Sequence, residues 1–204
     1  MPVDVMKEST KDIIIAHAAR IIRKNGFNNT GIAEILSSAG VPKGSFYFYF
    51  KSKEDMGLAL VDYYCRGIQS MAEPLLTESD PSPRKRLENF FQAFEALFES
   101  EDWKSGCPLG NLTQEMGTLN PAFRLRLSNG FKRLKKGLEQ CLAKARDAGE
   151  IDPAMNVNEM ADFVLNSWEG AILRMKAEGS TESLEIFRRM IFGTILRLPA
   201  KSET

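Results

Sequence analysis

Five consecutive aromatic residues, Phe46 to Phe50, stand between Lys43 on one side and Lys51 and Lys53 on the other, in the stretch VPKGSFYFYFKSKED. A buried strand would exclude the lysines, and a solvated loop would exclude the aromatics. A surface that packs inward on one face and meets an anion on the other needs both. A second stretch with chemical potential is WKSGCPLGNLTQEMG, where Cys107 precedes Pro108. Proline favours the first helical position, so Cys107 is placed at an N-cap, where free N–H groups and the helix dipole favour an anion. A free thiol has a pKa of about 8.5, and such a position lowers it. Two roles are open to Cys107: a reactive thiol, with Lys104 helping to stabilise a thiolate, or a small buried hydrophobe.

The remaining residues offer little to a catalyst. The single histidine, His17, excludes most imidazole chemistry. A Cys/His nucleophile would have to pair Cys107 with His17, which belong to different parts of the chain. Cys65, Cys107 and Cys141 are odd in number and widely spaced, so they form neither a disulfide framework nor a zinc site. There is no glycine-rich phosphate loop and no carboxylate constellation. No enzymatic activity, cofactor or metal is expected. Basic and acidic residues balance at 27 each. Eight basic and six acidic residues fall in the first 55, leaving nineteen and twenty-one beyond, so the N-terminal end carries the slight positive excess. No apolar run approaches the roughly 18 residues of a membrane span, and no secretory leader pattern opens the chain. A cytoplasmic protein without membrane contact is expected.

The elements that must position these residues read as helices throughout. In STKDIIIAHAARIIRKNG, Ser9 and Asp12 form a capping-box start, Ile14, Ala18, Ile21 and Ile22 share a face, and Gly26 ends the helix in a left-handed conformation. Asn29 or Thr30 caps a short second helix that stops at Gly40, and Pro42 fits the first position of a third. Ser52 and Asp55 open a fourth. The turn-rich TESDPSPR then leads to longer helices, one carrying Leu87, Phe90, Phe91, Phe94, Leu97 and Phe98 at helical spacing. The expected fold is all-α, with about nine helices and no strand.

The second and third helices meet at SAGVPKG, the glycine-turn signature of a helix-turn-helix, whose second helix reads base edges. That accounts for the opening stretch. Phe46 and Phe50 fill a small core, while Lys43, Ser45, Tyr47 and Lys53 face a duplex.

GIAEILSSAGVPKGSFYFYFKSKEDMGLAL resembles the DNA-binding domain of the TetR family of bacterial regulators, over roughly residues 9–60. The turn glycine, the KGSFY helix start, Tyr49-Phe50 and the SKE that opens the next helix stand together in order. The resemblance implies a helix-turn-helix head over residues 1–55 and a ligand-binding, dimerising body over residues 56–204. It also implies repression of transcription that a small molecule relieves. By the same resemblance, Thr30 and Gly31 meet phosphate. Lys43, Gly44, Ser45 and Tyr47 enter the major groove with Tyr49 beside them, and Lys53 holds the DNA backbone. Many members carry histidine where this chain has Phe48, which cannot donate to a phosphate but can touch sugar or a thymine methyl.

The SGC that ends at Cys107 is similar to a branch of that family comprising repressors of N-ethylmaleimide reductase, which sense electrophiles and oxidants through this cysteine, and acrylate-type regulators. The family's pocket lies among its fourth to eighth helices. Candidates here are Tyr63, Tyr64, Phe91, Phe94, Phe98, Trp103, Met116, Phe131 and Trp168, a set that suits an apolar or aromatic effector. The last two helices build the family's homodimer interface. Phe163, Val164, Trp168, Ile172, Phe187, Met190, Ile191 and Ile195 are expected there, and a two-fold dimer implies a palindromic operator.

Overall fold

The computed structural model describes residues 9–78 and 81–197; residues 79 and 80, in the middle of the TESDPSPR connection, lie outside them. The described residues form nine α-helices and no strand. Three short ones make the head: α1 (Thr10–Asn25), α2 (Ile32–Ala39) and α3 (Phe46–Tyr49), the last entered through a 3₁₀ turn at Lys43–Ser45. The body follows as α4 (Lys53–Thr77), α5 (Pro83–Glu99), α6 (Pro108–Met116), α7 (Pro121–Asp147), α8 (Val157–Glu178) and α9 (Glu182–Met190), which runs on into a π turn at Ile191–Ile195. The expected division between residues 55 and 56 falls inside the first turn of α4.

Local chemistry sets these boundaries. Ser9 accepts from the Asp12 N–H at 3.2 Å and starts α1, and Ser52 does the same for Asp55 in α4. Prolines open α5, α6 and α7, where a missing N–H leaves no bond unmade. Gly40 ends α2 in the left-handed conformation at φ 66°, ψ 26°.

Three expectations about the head are corrected. Gly26 does have positive φ, 85°, but its ψ of 158° is extended, so the chain leaves α1 without a further helical turn. Neither Asn29 nor Thr30 caps α2. Thr30 is buried and its hydroxyl donates to the Gly26 carbonyl at 2.7 Å, while Asn29 donates to the Asn25 carbonyl; Gly31 holds the N-cap without a side-chain bond. Pro42 stands just outside its helix, because the Ser45 N–H bonds to the Pro42 carbonyl at 2.9 Å and tightens the entry into a 3₁₀ turn.

Head and body share one core. Phe27 follows α1 and packs edge-on against Phe123 of α7, with ring centroids 5.5 Å apart. Both rings lie on Gly57 of α4, where a Cβ would stand 2.5 Å from Phe123 and 2.6 Å from Phe27. Tyr64 of α4 donates its hydroxyl to the Ala19 carbonyl of α1 at 2.7 Å.

The Gly57 contact yields a prediction. Gly57→Ala forces two packed rings apart and should cost about 1–3 kcal/mol. Gly67→Ala in the same helix meets nothing within 4 Å and should hold or raise stability. Urea midpoints of the two variants, at unchanged slope, check both.

Candidate nucleic-acid interface and internal cavity

The aromatic run splits as two-faced packing requires. Phe46 and Phe50 are buried with their rings 5.4 Å apart, and Tyr49 is half-buried against the same core. Tyr47 and Phe48 point outward, 71% and 86% exposed. Lys43 and Gly44 are exposed beside them, and Ser45 is half-buried. Tyr47 rests one edge on the buried Phe46 ring at 5.4 Å, and the exposed Tyr–Phe pair stands next to a lysine. It offers a hydroxyl, an apolar ring and a cation to a groove.

The neighbouring N-terminus of α2 carries its N–H groups towards solvent without a side-chain cap, at an exposed Gly31. Helix N-termini of this kind attract phosphate. Two expected phosphate contacts are placed differently. The Thr30 hydroxyl is spent on the Gly26 carbonyl. Lys53 lies 4.8 Å over the Phe27 ring and donates to the Asn28 carbonyl, so its ammonium is held by the head itself. His17 contacts Ser38 at 2.8 Å and Arg20 at 3.0 Å, bracing α1 on α2.

A cavity of about 780 Å³ lies between α1, α4, α5, α8 and the start of α6. Five of the nine expected pocket residues line it: Tyr63, Tyr64, Phe94, Phe98 and Trp168. Four do not. Phe91 turns away into an aromatic cluster, with its ring centroid 4.9 Å from both Trp168 and Phe187. Met116 is buried at the far end of α6, Phe131 is half-buried outside the cavity, and Trp103 sits in a turn with φ 60°. The sequence reading missed Phe90, one residue along from Phe91, and the charged lining of Arg20, Arg23, Glu101 and Glu169. Glu169 was open to detection as a carboxylate next to Trp168 in the middle of α8, whose other acids, Glu159, Asp162 and Glu178, lie towards its ends. The α1 residues were not, because periodicity alone does not bring head and body together.

Arg23 pairs with Glu101 at 2.9 Å and donates to Ser105 at 3.3 Å, tying α1 to the turn before α6. Cys107 occupies the N-cap of α6 as expected, its sulfur 3.5 Å from the Gly110 N–H. The direction of its acidity is the reverse of that expected. Burial pushes the thiol well above its usual range, and the nearby Glu169 carboxylate pushes it further, outweighing the Gly110 and Leu109 N–H groups. Glu169 is itself raised, chiefly by burial, while its bond to the Cys107 thiol favours the carboxylate. Lys104 pairs with Asp102 at the surface, at 3.6 Å.

The other end of α6 reaches the head. Both oxygens of the Glu115 carboxylate accept backbone N–H groups, from Phe27 at 2.9 Å and from Asn28 at 2.8 Å. A Cβ on Gly26 would stand 3.2 Å from the same carboxylate. One helix of nine residues therefore touches the cavity through Cys107 and grips the α1–α2 connection through Glu115.

Five of the eight residues expected at a dimer interface lie inside the protomer: Val164, Trp168, Ile172, Phe187 and Ile191. Trp168 and Phe187 of this set pack on each other and on Phe91 of the α5 phenylalanine stripe. Phe163 and Met190 remain on the outside, 49% and 44% exposed, and Ile195 is half-buried.

Among the described residues no cluster of three metal-ligating side chains occurs, and no helix is long and apolar enough to cross a membrane. Two family models match the chain: "Bacterial regulatory proteins, tetR family" over residues 14–60 and "Tetracyclin repressor-like, C-terminal domain" over residues 83–191. The chain is 31% identical to the HTH-type transcriptional repressor DhaR of a Mycobacterium species, over 90% of each chain. It is 33% identical to the transcriptional regulator AcuR of Cereibacter sphaeroides, over 87% of this chain and 84% of that one. The crystal structure of reduced NemR from Escherichia coli superposes with a TM-score of 0.84 at 29% identity, covering 94% of this chain and 98% of that one.

The Cys107 environment generates a second prediction. The charge on Glu169 opposes thiolate formation, so Glu169→Gln should speed alkylation of Cys107 by N-ethylmaleimide at neutral pH. In the parent protein, labelling should climb only as the pH passes above the ordinary thiol range. Mass spectrometry of timed reactions, with Cys107→Ser as the blank, checks both statements.

Proposed function

The chain belongs to the TetR family of bacterial regulatory proteins and is a DNA-binding transcriptional repressor; from that premise we propose that it acts as a homodimer, released from a palindromic operator by a small molecule held in the 780 Å³ cavity. The observation that carries this reading is the reach of α6. Its first residues border the cavity and its Glu115 holds the head.

Residues 1–55 serve as the DNA-binding unit and residues 56–204 as the effector-binding and dimerising unit. Lys43, Gly44, Ser45 and Tyr47 meet the major groove with Tyr49 beside them, and the Phe46 ring backs Tyr47 from the core side. The open N-terminus of α2 at Gly31 takes a phosphate. The exposed Phe163 and Met190, with Ile195, form the apolar part of a two-fold contact between α8 and α9 of two protomers. In such a dimer the two recognition turns must sit about 34 Å apart to enter successive major grooves. A ligand that binds better when α6 is displaced shifts Glu115, and with it Phe27 and Asn28, so the heads leave that spacing. The ligand releases DNA only to the extent that it prefers the released state. The setting for this activity is the cytoplasm.

A second route to release runs through Cys107, whose thiol lines the same cavity. An activated alkene held there would accept the sulfur at its β-carbon and the thiol proton at its α-carbon. The thiolate is the attacking species, so a thiol whose pKa is raised reacts slowly in passing and needs the residence time that binding in the cavity gives. The test is fluorescence anisotropy with the upstream DNA of the gene, against a scrambled duplex at two salt concentrations, with and without N-ethylmaleimide. Release in the parent that Cys107→Ser abolishes establishes the covalent route. Selective binding that the reagent leaves intact restricts Cys107 to its capping role.

Two predictions follow from the named contacts. Tyr47→Ala and Lys43→Ala should each weaken operator binding by roughly 1–3 kcal/mol while leaving the fold intact, and the lysine variant should also flatten the salt dependence. Glu115→Ala should speed deuterium exchange at the Phe27 and Asn28 amides and lower operator affinity, with the head's own helices still protected. Hydrogen exchange and anisotropy on one preparation check this.

A further inference from the structure

We propose that Phe48 is a specificity-determining residue of the DNA-binding unit and reads the 5-methyl group of a thymine in the major groove. That role rests on the reading that α3 meets the major groove, and it adds the base that this face selects. Phe48 is the most outward side chain of α3. It follows Phe46 by two residues, about 200° around a helix. Phe46 is fully buried in the head, so Phe48 is aimed away from the core, with 86% of its surface exposed. Tyr49 packs against the core from the next position, and Tyr47 leans on the Phe46 ring. Phe48 does neither: among the described residues it joins no aromatic pair and no part of the core. A phenyl ring left in water is unfavourable, and contact with an apolar group relieves it.

The flanks indicate what that group is. Lys43 begins the 3₁₀ turn that enters α3, and Lys51 follows Phe50, where the backbone turns extended at φ −139°, ψ 135°. Both lysines are exposed. Cations seek the phosphates that border a groove, so a ring standing between two of them is directed at the base edges between the phosphates. A phenyl ring has no donor or acceptor to offer those edges. The thymine 5-methyl is the apolar group in the major-groove code. Deoxyribose is also apolar, but it is the same at every nucleotide, and a ring seated on it would favour no sequence. The outward face of α3 thus divides its work. Lys43 and the Tyr47 hydroxyl supply hydrogen bonds, and Phe48 supplies the apolar contact.

The test uses the full-length protein and the upstream DNA fragment of its gene, by fluorescence anisotropy against a scrambled duplex. Each thymine of the footprint is replaced in turn by deoxyuridine, which removes the methyl group and leaves the base pairing in place. At one thymine in each half-site the replacement should weaken binding about fourfold, the factor that corresponds to one buried methyl. Phe48→Ala should weaken operator binding at least as much, leave the scrambled duplex unchanged, and bind the thymine and deoxyuridine operators equally. Its urea midpoint should match the parent's, because the ring supports no core. Phe48→Leu, which keeps an apolar side chain, should keep the methyl dependence. Deoxyuridine without effect at every position overturns the proposal, as does an effect that persists undiminished in Phe48→Ala. Equal weakening of both duplexes by Phe48→Ala places the ring on deoxyribose and overturns it as well. Where Tyr47→Ala and Lys43→Ala weaken the operator and deoxyuridine does not, the role of Phe48 alone fails. Where none of these changes has an effect, the placement of α3 in the groove fails with it.

Discussion

The grip of Glu115 on two backbone N–H groups is the constraint on which the rest of the molecule depends. The Phe27 and Asn28 amides follow the end of α1, where the chain has left its helix at Gly26 and has no carbonyl of its own to use. A carboxylate that accepts both N–H groups makes two charge-assisted bonds, of about 1.5–3 kcal/mol each. The bonds fix more than a loop. Phe27 is thereby held on Phe123 and Gly57, which joins the head to α4 and α7 through packing too tight for a methyl group. The head cannot swing freely on a linker. Its position is set by the position of α6.

That arrangement makes the placement of the cavity consequential. A pocket deep in the body would have to move helices in sequence to reach the head. Here α1 is itself part of the wall, through Arg20 and Arg23, and the Arg23–Glu101 pair crosses from head to body at the cavity's edge. Partly buried ion pairs contribute little net stability but tolerate disruption badly, since separation leaves a charge desolvated and alone. A ligand that competes for Glu101 or Arg23 therefore acts on the head directly, and one that presses on Pro108 acts on it through Glu115.

The helices were legible in the sequence because each carries local punctuation: Ser9, Ser52, three initiating prolines and Gly40. The interface stretch was legible because aromatics and lysines in one run have few other uses. What the sequence hid is angular. Phe163 and Trp168 are five residues apart, about 140° around a helix, so a face that takes one excludes the other. Only the packing of α5 decides that Trp168 goes inward. Phe90 and Phe91 differ by about 100° in the same way, and one lines the cavity while the other builds the cluster behind it. Thr30 and Lys53 were placed on the DNA side by motif, yet both are engaged by carbonyls of the same connection that Glu115 holds. The head uses them to shape that connection.

Cys107 shows how two local rules compete. A helix N-terminus favours a thiolate, and the Gly110 and Leu109 N–H groups do act in that direction. Burial acts against it and is larger, and Glu169 adds a negative charge on the same side. The carboxylate is in turn held by the geometry of the helix start. A Cβ on Gly110 would come within 2.6 Å of a Glu169 oxygen, so glycine at that position is what admits the carboxylate to the N-terminal turn. The result is a thiol that faces a ligand-sized cavity and whose acidity is weakened first by burial and then by its neighbour. A molecule that drew Glu169 away, or neutralised it, would remove the second of the two opposing effects and leave the helix dipole with less against it. In the proposed mechanism, reactivity at Cys107 is thereby coupled to what occupies the cavity, and α6 links that occupancy to Glu115.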